Sequence, residues 1–273
     1  MGISKVSLMV GRGLAKKFDG LAALENIDFD IEEATITSLI GPNGAGKTTL
    51  FNIMTGVYKP QSGTLTFKGQ NILGLKDFKI TRLGIARTFQ NIRLFANMTA
   101  LETIQVGQEC HMQAGLWGII LKNKTTLDEE REVYLKACEI LDFVGLGGQR
   151  YVLAKNLSYG DQRRLEIARA LATQPRLLLL DEPTAGMNPQ ETLMMTRFIE
   201  RLRNELRISI LLIEHDMRVV MGISQRVIVL DHGLKIAEGQ PEEIQKDPKV
   251  IAAYLGTGQI KRRRRRNQDA HLT

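Results

Sequence analysis

A short β-prone run, Ile36 to Ile40, leads directly into Gly41-Pro42-Asn43-Gly44-Ala45-Gly46-Lys47-Thr48-Thr49, and helical spacing follows to Thr55, where Gly56 closes it. A strand, a glycine-rich loop and a helix in that order admit few architectures. The glycines let backbone N–H groups turn inward around phosphate oxygens, and the helix N-terminus adds its partial positive charge. Gly41 to Thr48 satisfies the phosphate-loop pattern in full. Lys47 is expected to reach the β- and γ-phosphates of a nucleotide, and the Thr48 hydroxyl to sit on Mg²⁺. On this motif alone, kinases, GTPases and ATPases remain open.

The rest of the pattern fits an α/β chain. Leu177 to Leu180 is four leucines in a row, too short for a helix and right for an interior parallel strand. Ser209 to Ile213 and Arg226 to Leu230 read as two more strands. Between Leu180 and Ser209, Gln190 to Glu205 has helical spacing without Gly or Pro. From Met98 to about Thr173 the patterns are helical, with no convincing strand. Thr126 and Glu129 have capping-box spacing. Val133, Ala137, Ile140, Leu141 and Val144 follow at helical intervals, and Gly145 sits where a C-cap belongs. The stretch Leu116 to Ile120, with the only tryptophan, reads as a packing cluster or as a surface for a membrane partner.

The chain of 273 residues carries a net charge of +7. Lys261 to Arg266 supply six cations to the last thirteen residues against one acid, Asp269, so +5 lies there and only +2 on the body. A general nucleic-acid footprint is therefore not expected of the body. The segment 261–273 has too little to pack and reads as a disordered tail. It suits an anionic lipid surface, a non-specific nucleic-acid contact or no role at all. Cys110 and Cys138 form no metal framework and read as reduced, half-buried thiols.

Two further motifs narrow the chemistry. The apolar strand ends in Asp181-Glu182, which places Asp181 to hold a metal's water shell and Glu182 to polarise an attacking water. Just ahead of it lies Leu157-Ser158-Tyr159-Gly160-Asp161-Gln162-Arg163-Arg164-Leu165. Here the residues resemble the ATP-binding cassette (ABC) ATPases, whose signature Leu-Ser-Gly-Gly-Gln matches at Leu157, Ser158 and Gly160 and departs at Tyr159 and Asp161. That resemblance runs from about Leu8 to Leu255. It implies a P-loop NTPase (RecA-like) core with an N-terminal antiparallel β subdomain and an inserted α-helical subdomain. The cassette would occupy residues 1–260, with the helical insert at about 98–173.

Matched one at a time, other positions take roles from the same resemblance. Gln90 looks like the glutamine that touches metal or water and faces the membrane subunit. His215 resembles the switch histidine that contacts the γ-phosphate, and Phe18 the aromatic that stacks on adenine. Asn188 stands where the family commonly has an aspartate. Gly84 to Phe95, Gly160 to Ala172, Ala185 to Glu191 and Ile213 to Met217 look like the LivG-type ATPases of branched-chain amino acid importers, and related amide and urea importers use similar subunits. The match implies a peripheral ATPase on the cytoplasmic face of the membrane, using ATP and Mg²⁺. Two permease subunits and a second, homologous cassette would be its partners, with a homodimer in isolation and a periplasmic binding protein delivering substrate. Ser158 and Gly160 would then complete the site of the opposing chain. DNA-repair cassettes usually carry a coiled coil or zinc insert between phosphate loop and signature, and translation-factor cassettes carry two cassettes. This chain has one of each motif and no Cys/His cluster. Glu182 and His215 argue against a non-catalytic module.

Overall fold

The computed structural model describes residues 7–111 and 124–254. The Leu116 to Ile120 stretch and the basic tail lie outside them. The described residues divide into two compact units, one made of residues 7–74 with 209–254 and the other of 75–111 with 124–208.

In the first unit, β1 (Ser7–Phe18), β2 (Leu21–Glu32), β4 (Ser62–Phe67) and β5 (Gln70–Asn71) form an antiparallel sheet in the order β2-β1-β4-β5. Asp19-Gly20 joins β1 to β2 with φ of 45° and 87°, the left-handed pair that matches the twist of a two-residue hairpin. The β1–β2 register shifts four times. These bulges break simple alternation, so the two longest strands carry an irregular burial pattern.

The same unit holds a buried parallel core. β3 (Ile36–Ile40) and β8 (Ser209–Ile213) are buried at all five positions. β3 pairs in parallel with β8, Ile36 opposite Ile210, and with β9 (Arg226–Asp231), Thr37 opposite Arg226. Continuous apolar runs are what a strand covered on both faces requires. The antiparallel β10 (Leu234–Gly239) closes the edge against β9. Helices α1 (Lys47–Met54), α7 (Met217–Ile223) and α8 (Pro241–Ile244) belong to the unit, as does a helical stretch over 248–254. Ile40, Val220, Val227, Val229, Ile244 and Val250 form one buried cluster.

The second unit holds α2 (Asp77–Leu83), β6 (Ile85–Arg87), α3 (Ala100–Gln108), α4 (Lys124–Phe143), α5 (Tyr159–Leu171), β7 (Leu177–Asp181) and α6 (Pro189–Leu206). β6 and β7 pair in parallel, Ile85 opposite Leu177. Helix α3 packs on α4 and α5, burying Leu101, Ile104, Ala137, Leu141 and Leu165. Helix α4 ends as its sequence indicates, with Gly145 N–H on the Asp142 carbonyl and Leu146 N–H on that of Leu141.

Its start differs from expectation. Thr126 lies within the range of α4 and not ahead of it. The capping box forms instead at Thr99 and Glu102 of α3. Both sites have the Thr-x-x-Glu spacing, and a cap needs an extended approach to the helix. Thr99 has that approach (φ −69°, ψ 163°), fixed by a bridge to Leu153.

Both cysteines are free, and burial pushes the Cys110 thiol up, away from thiolate reactivity. No helix among the described residues is long and apolar enough to cross a membrane.

The backbone and hydroxyl of Thr99 hold the Glu102 carboxyl below its ordinary value of 4.5. A depressed carboxylate contributes stability above its unfolded pKa and loses it as pH falls through the folded one. Thr99→Ala is expected to lower the thermal midpoint by about 2–4 °C at neutral pH. The deficit should shrink in acid, which thermal unfolding monitored across pH will show.

Candidate nucleotide site

In the first unit, β3 delivers the chain into the glycine loop and α1 carries it away. Gly41, Gly44 and Gly46 have φ of 149°, 82° and 102°. A Cβ on Gly46 would stand 2.5 Å from the Ala23 carbonyl oxygen, and one on Gly41 would collide with that of Leu230. The loop is thus pressed against β2 and β9, and only glycine fits there. Gly46 caps α1 without a side-chain hydrogen bond, and no acid lies in the first turn. The amides of Lys47, Thr48 and Thr49 therefore face no protein anion from the cap or from that turn. Lys47 Nζ donates to the carbonyls of Gly41 (2.7 Å) and Pro42 (3.0 Å), an ammonium poised over the loop. Asn43 and Ala45 complete the turn, with Ala45 N–H on the Pro42 carbonyl.

Two more candidates lie in this unit. Phe18 ends β1, is 39% exposed and meets Tyr58 edge-on at 5.2 Å. An exposed ring in that position offers a face to a flat ligand. His215 follows β8 with an exposed side chain, its Nδ1 3.9 Å from the fully buried Glu214 carboxylate. Next to it, Asp216 caps α7, and the Arg218 guanidinium holds its carboxyl below the ordinary range.

The second unit brings Gln90 and Glu182 together, with Gln90 Nε2 donating to Glu182 Oε2 at 3.2 Å. Glu182 has φ of 49°, a left-handed conformation costly for a residue with a side chain and common where geometry serves chemistry. Asp181 ends β7, nearly buried, and one carboxylate oxygen accepts from Arg87 Nη2 at 2.9 Å. That ion pair joins residues 94 positions apart and has no local signal in the sequence.

Ser158 caps α5. Its hydroxyl accepts from Asp161 N–H (3.2 Å) and donates to the Asp161 carboxylate (2.9 Å). Asp161, in the place of the signature's glutamine, thereby holds the cap, with Arg164 3.7 Å away. A Cβ on Gly160 would meet nothing within 4 Å, so this helix end is open. Asn188 caps α6 in a capping box with Glu191, accepting the Gln190 and Glu191 amides at 2.9 and 3.0 Å. An asparagine caps as well as an aspartate, so the local geometry survives the departure. The Arg87–Asp181 pair, and the contacts of Arg163 and Glu166 with segment 89–93, escaped sequence reasoning because the groups they join are distant in the chain.

A family model described as ABC transporter matches residues 24–185, and one described as branched-chain amino acid ATP-binding cassette transporter matches residues 235–259. The high-affinity branched-chain amino acid transport ATP-binding protein LivG of Salmonella typhimurium is 48% identical over 249 residues, covering 91% of this chain and 98% of that protein. A crystal structure of an ATP-binding cassette of an ABC transporter in its ADP conformation superposes with a TM-score of 0.80 at 30% identity, covering 92% of this chain and 99% of that one. A dimeric cassette bound to ADP and Pi in a post-hydrolysis state gives 0.71 at 25% identity, covering 85% and 98%.

Because the Gly46 Cβ would have to displace backbone, Gly46→Ala is expected to destabilise the protein by roughly 1–3 kcal/mol and to abolish nucleotide binding. Denaturant midpoints and a fluorescent-nucleotide titration check this, and a variant that matches wild type in both would refute it.

Proposed function

This chain belongs to the ABC transporter ATPases, and we propose that it powers a membrane importer for branched-chain or related hydrophobic amino acids. It is a nucleotide-binding ATPase coupled to transport. The observation that carries the substrate reading is the 48% identity over 98% of a relative named for branched-chain amino acid transport. The match of residues 235–259 to a branched-chain amino acid cassette model supports it.

The proposed chemistry is hydrolysis of the γ-phosphate bond by water. Backbone amides of the glycine loop and Lys47 hold the phosphates and balance the negative charge of the transition state. Glu182 accepts a proton from the attacking water while Gln90 orients beside it, and ADP and inorganic phosphate leave. His215 reaches the γ-phosphate, and Phe18 stacks on the adenine. Thr48, Gln90 and Asp181 would hold Mg²⁺. A hydroxyl, an amide oxygen and a carboxylate suit this hard cation, which keeps several waters and takes few protein ligands. Bound there, Mg²⁺ would supply charge neutralisation to the phosphates.

One phosphate loop and one signature per chain imply a pair of cassettes, in which Ser158 and Gly160 contact the partner's nucleotide. The proposed partners are two permease subunits and a homologous cassette at the cytoplasmic face of the membrane, supplied by a periplasmic binding protein. Residues 1–260 would form the cassette, with the helical stretch 98–173 and the surface near Gln90 facing the permeases.

Glu182→Gln is expected to bind ATP and to hydrolyse it about 10²- to 10⁴-fold more slowly. In cells lacking this chain, the wild-type gene should restore leucine uptake and the Glu182→Gln gene should not. Turnover equal to wild type would remove Glu182 as the base. Restored uptake of urea or amides, with none of leucine, would overturn the substrate reading.

A further inference from the structure

Helix α5 buries two charges one turn apart. Arg163 is 2% exposed and Glu166 1%, and they pair at 3.2 Å. A buried ion pair is a poor source of stability, since apolar residues of the same volume often serve as well or better. What this pair holds is more informative. Arg163 Nη1 donates to the Phe89 carbonyl at 2.9 Å and to Glu166, while Nη2 donates to the Gln90 carbonyl and to the Tyr159 hydroxyl. Glu166 Oε1 accepts the amides of Phe89 (3.4 Å) and Arg93 (3.3 Å). The cation therefore grips two carbonyls of segment 89–93 and the anion two of its amides.

Segment 89–93 has no helix or strand of its own to fix it. It carries Gln90, whose side chain lies 3.2 Å from Glu182. Tyr159 makes a second connection, its hydroxyl donating to the Ala185 carbonyl at 2.9 Å, in the turn that follows Glu182. The family signature has glycine where this chain has Tyr159, and glycine offers no such hydroxyl. Both connections start on the helix that Ser158 opens, and both end beside Glu182.

We infer that Arg163, Glu166 and Tyr159 are positioning residues for hydrolysis, fixing Gln90 and the Ala185 turn to helix α5. A displacement of that helix then reaches the neighbourhood of Glu182 within the same chain. The inference rests on the ATPase reading above and adds to it the side chains that set Gln90. A guanidinium fork suits the task because it addresses two carbonyls in fixed geometry, which a lysine ammonium does not.

The test is steady-state ATP hydrolysis by the full chain, with thermal midpoints confirming that each variant is folded. Arg163→Lys is expected to lower kcat by about 10- to 100-fold with KM near wild type, since small misplacements of catalytic groups cost that much. Tyr159→Phe, which removes one exposed hydroxyl, should lower kcat by a smaller factor, again without raising KM. In a Gln90→Ala background, Arg163→Lys should add little, because residues acting through one group are not additive. Equal losses from Arg163→Lys in both backgrounds would overturn the inference. If Arg163→Lys does not fold, Tyr159→Phe decides, and an unchanged kcat there overturns it while an active wild type leaves the ATPase reading standing. A wild-type chain without ATPase activity would remove both.

Discussion

Holding a polyphosphate with backbone amides demands a loop free of side chains at its closest approaches, and the nucleotide site depends on meeting that demand. Here the loop is shaped from outside. Gly46 lies under the Ala23 carbonyl of β2 and Gly41 under that of Leu230 in β9, so the sheets on either side leave room for hydrogen alone. The strand that feeds the loop is buried at all five residues, which fixes where the loop begins. Helix α1 starts without a side-chain cap, and Lys47 folds over two loop carbonyls. Each feature lowers the cost of receiving an anion, because the donors are already arranged and no competing acid lies in the first turn.

In the proposed mechanism the second unit answers a different problem, which is to place a carboxylate beside a water. Glu182 takes a left-handed backbone conformation at the end of a fully buried strand. Gln90 meets it with an amide and brings no charge. Asp181, one residue earlier, is held by Arg87, so the two adjacent acids stand in different surroundings. Neighbouring carboxylates in contrasting environments can serve distinct roles, one electrostatic and one as proton acceptor. The Arg163–Glu166 pair then ties this arrangement to the helix that Ser158 caps.

Much of this was legible in the sequence because it is local. The strands at Ile36, Leu177, Ser209 and Arg226, the glycine loop and the helix from Pro189 each declare themselves within a few residues. The α/β class and the ABC resemblance agree with the fold and with the relatives. Strands β1 and β2 were less readable individually, because four register shifts scramble the alternation that marks a half-buried strand. Asp19-Gly20 was the usable hairpin signal there. Of the two Thr-x-x-Glu stretches, Thr99 to Glu102 forms a capping box, beside a tertiary bridge from Thr99 to Leu153 that no local pattern announces. Contacts such as the ion pair of Arg87 with Asp181, or the hydrogen bonds of Arg163 to the carbonyls of Phe89 and Gln90, join residues 73 to 94 positions apart. Nothing local in a sequence marks an arginine as buried.

If Ser158 and Gly160 complete a partner's site, one chain alone is an incomplete enzyme. The measurement that bears on this most directly is ATP turnover per chain across a dilution series of the purified protein. Turnover per chain should fall steeply as dilution separates the pair and recover on reconcentration, following mass action. A turnover per chain that stays constant through the range where light scattering reports only monomer would contradict the shared site, and would show that a single chain hydrolyses ATP by itself.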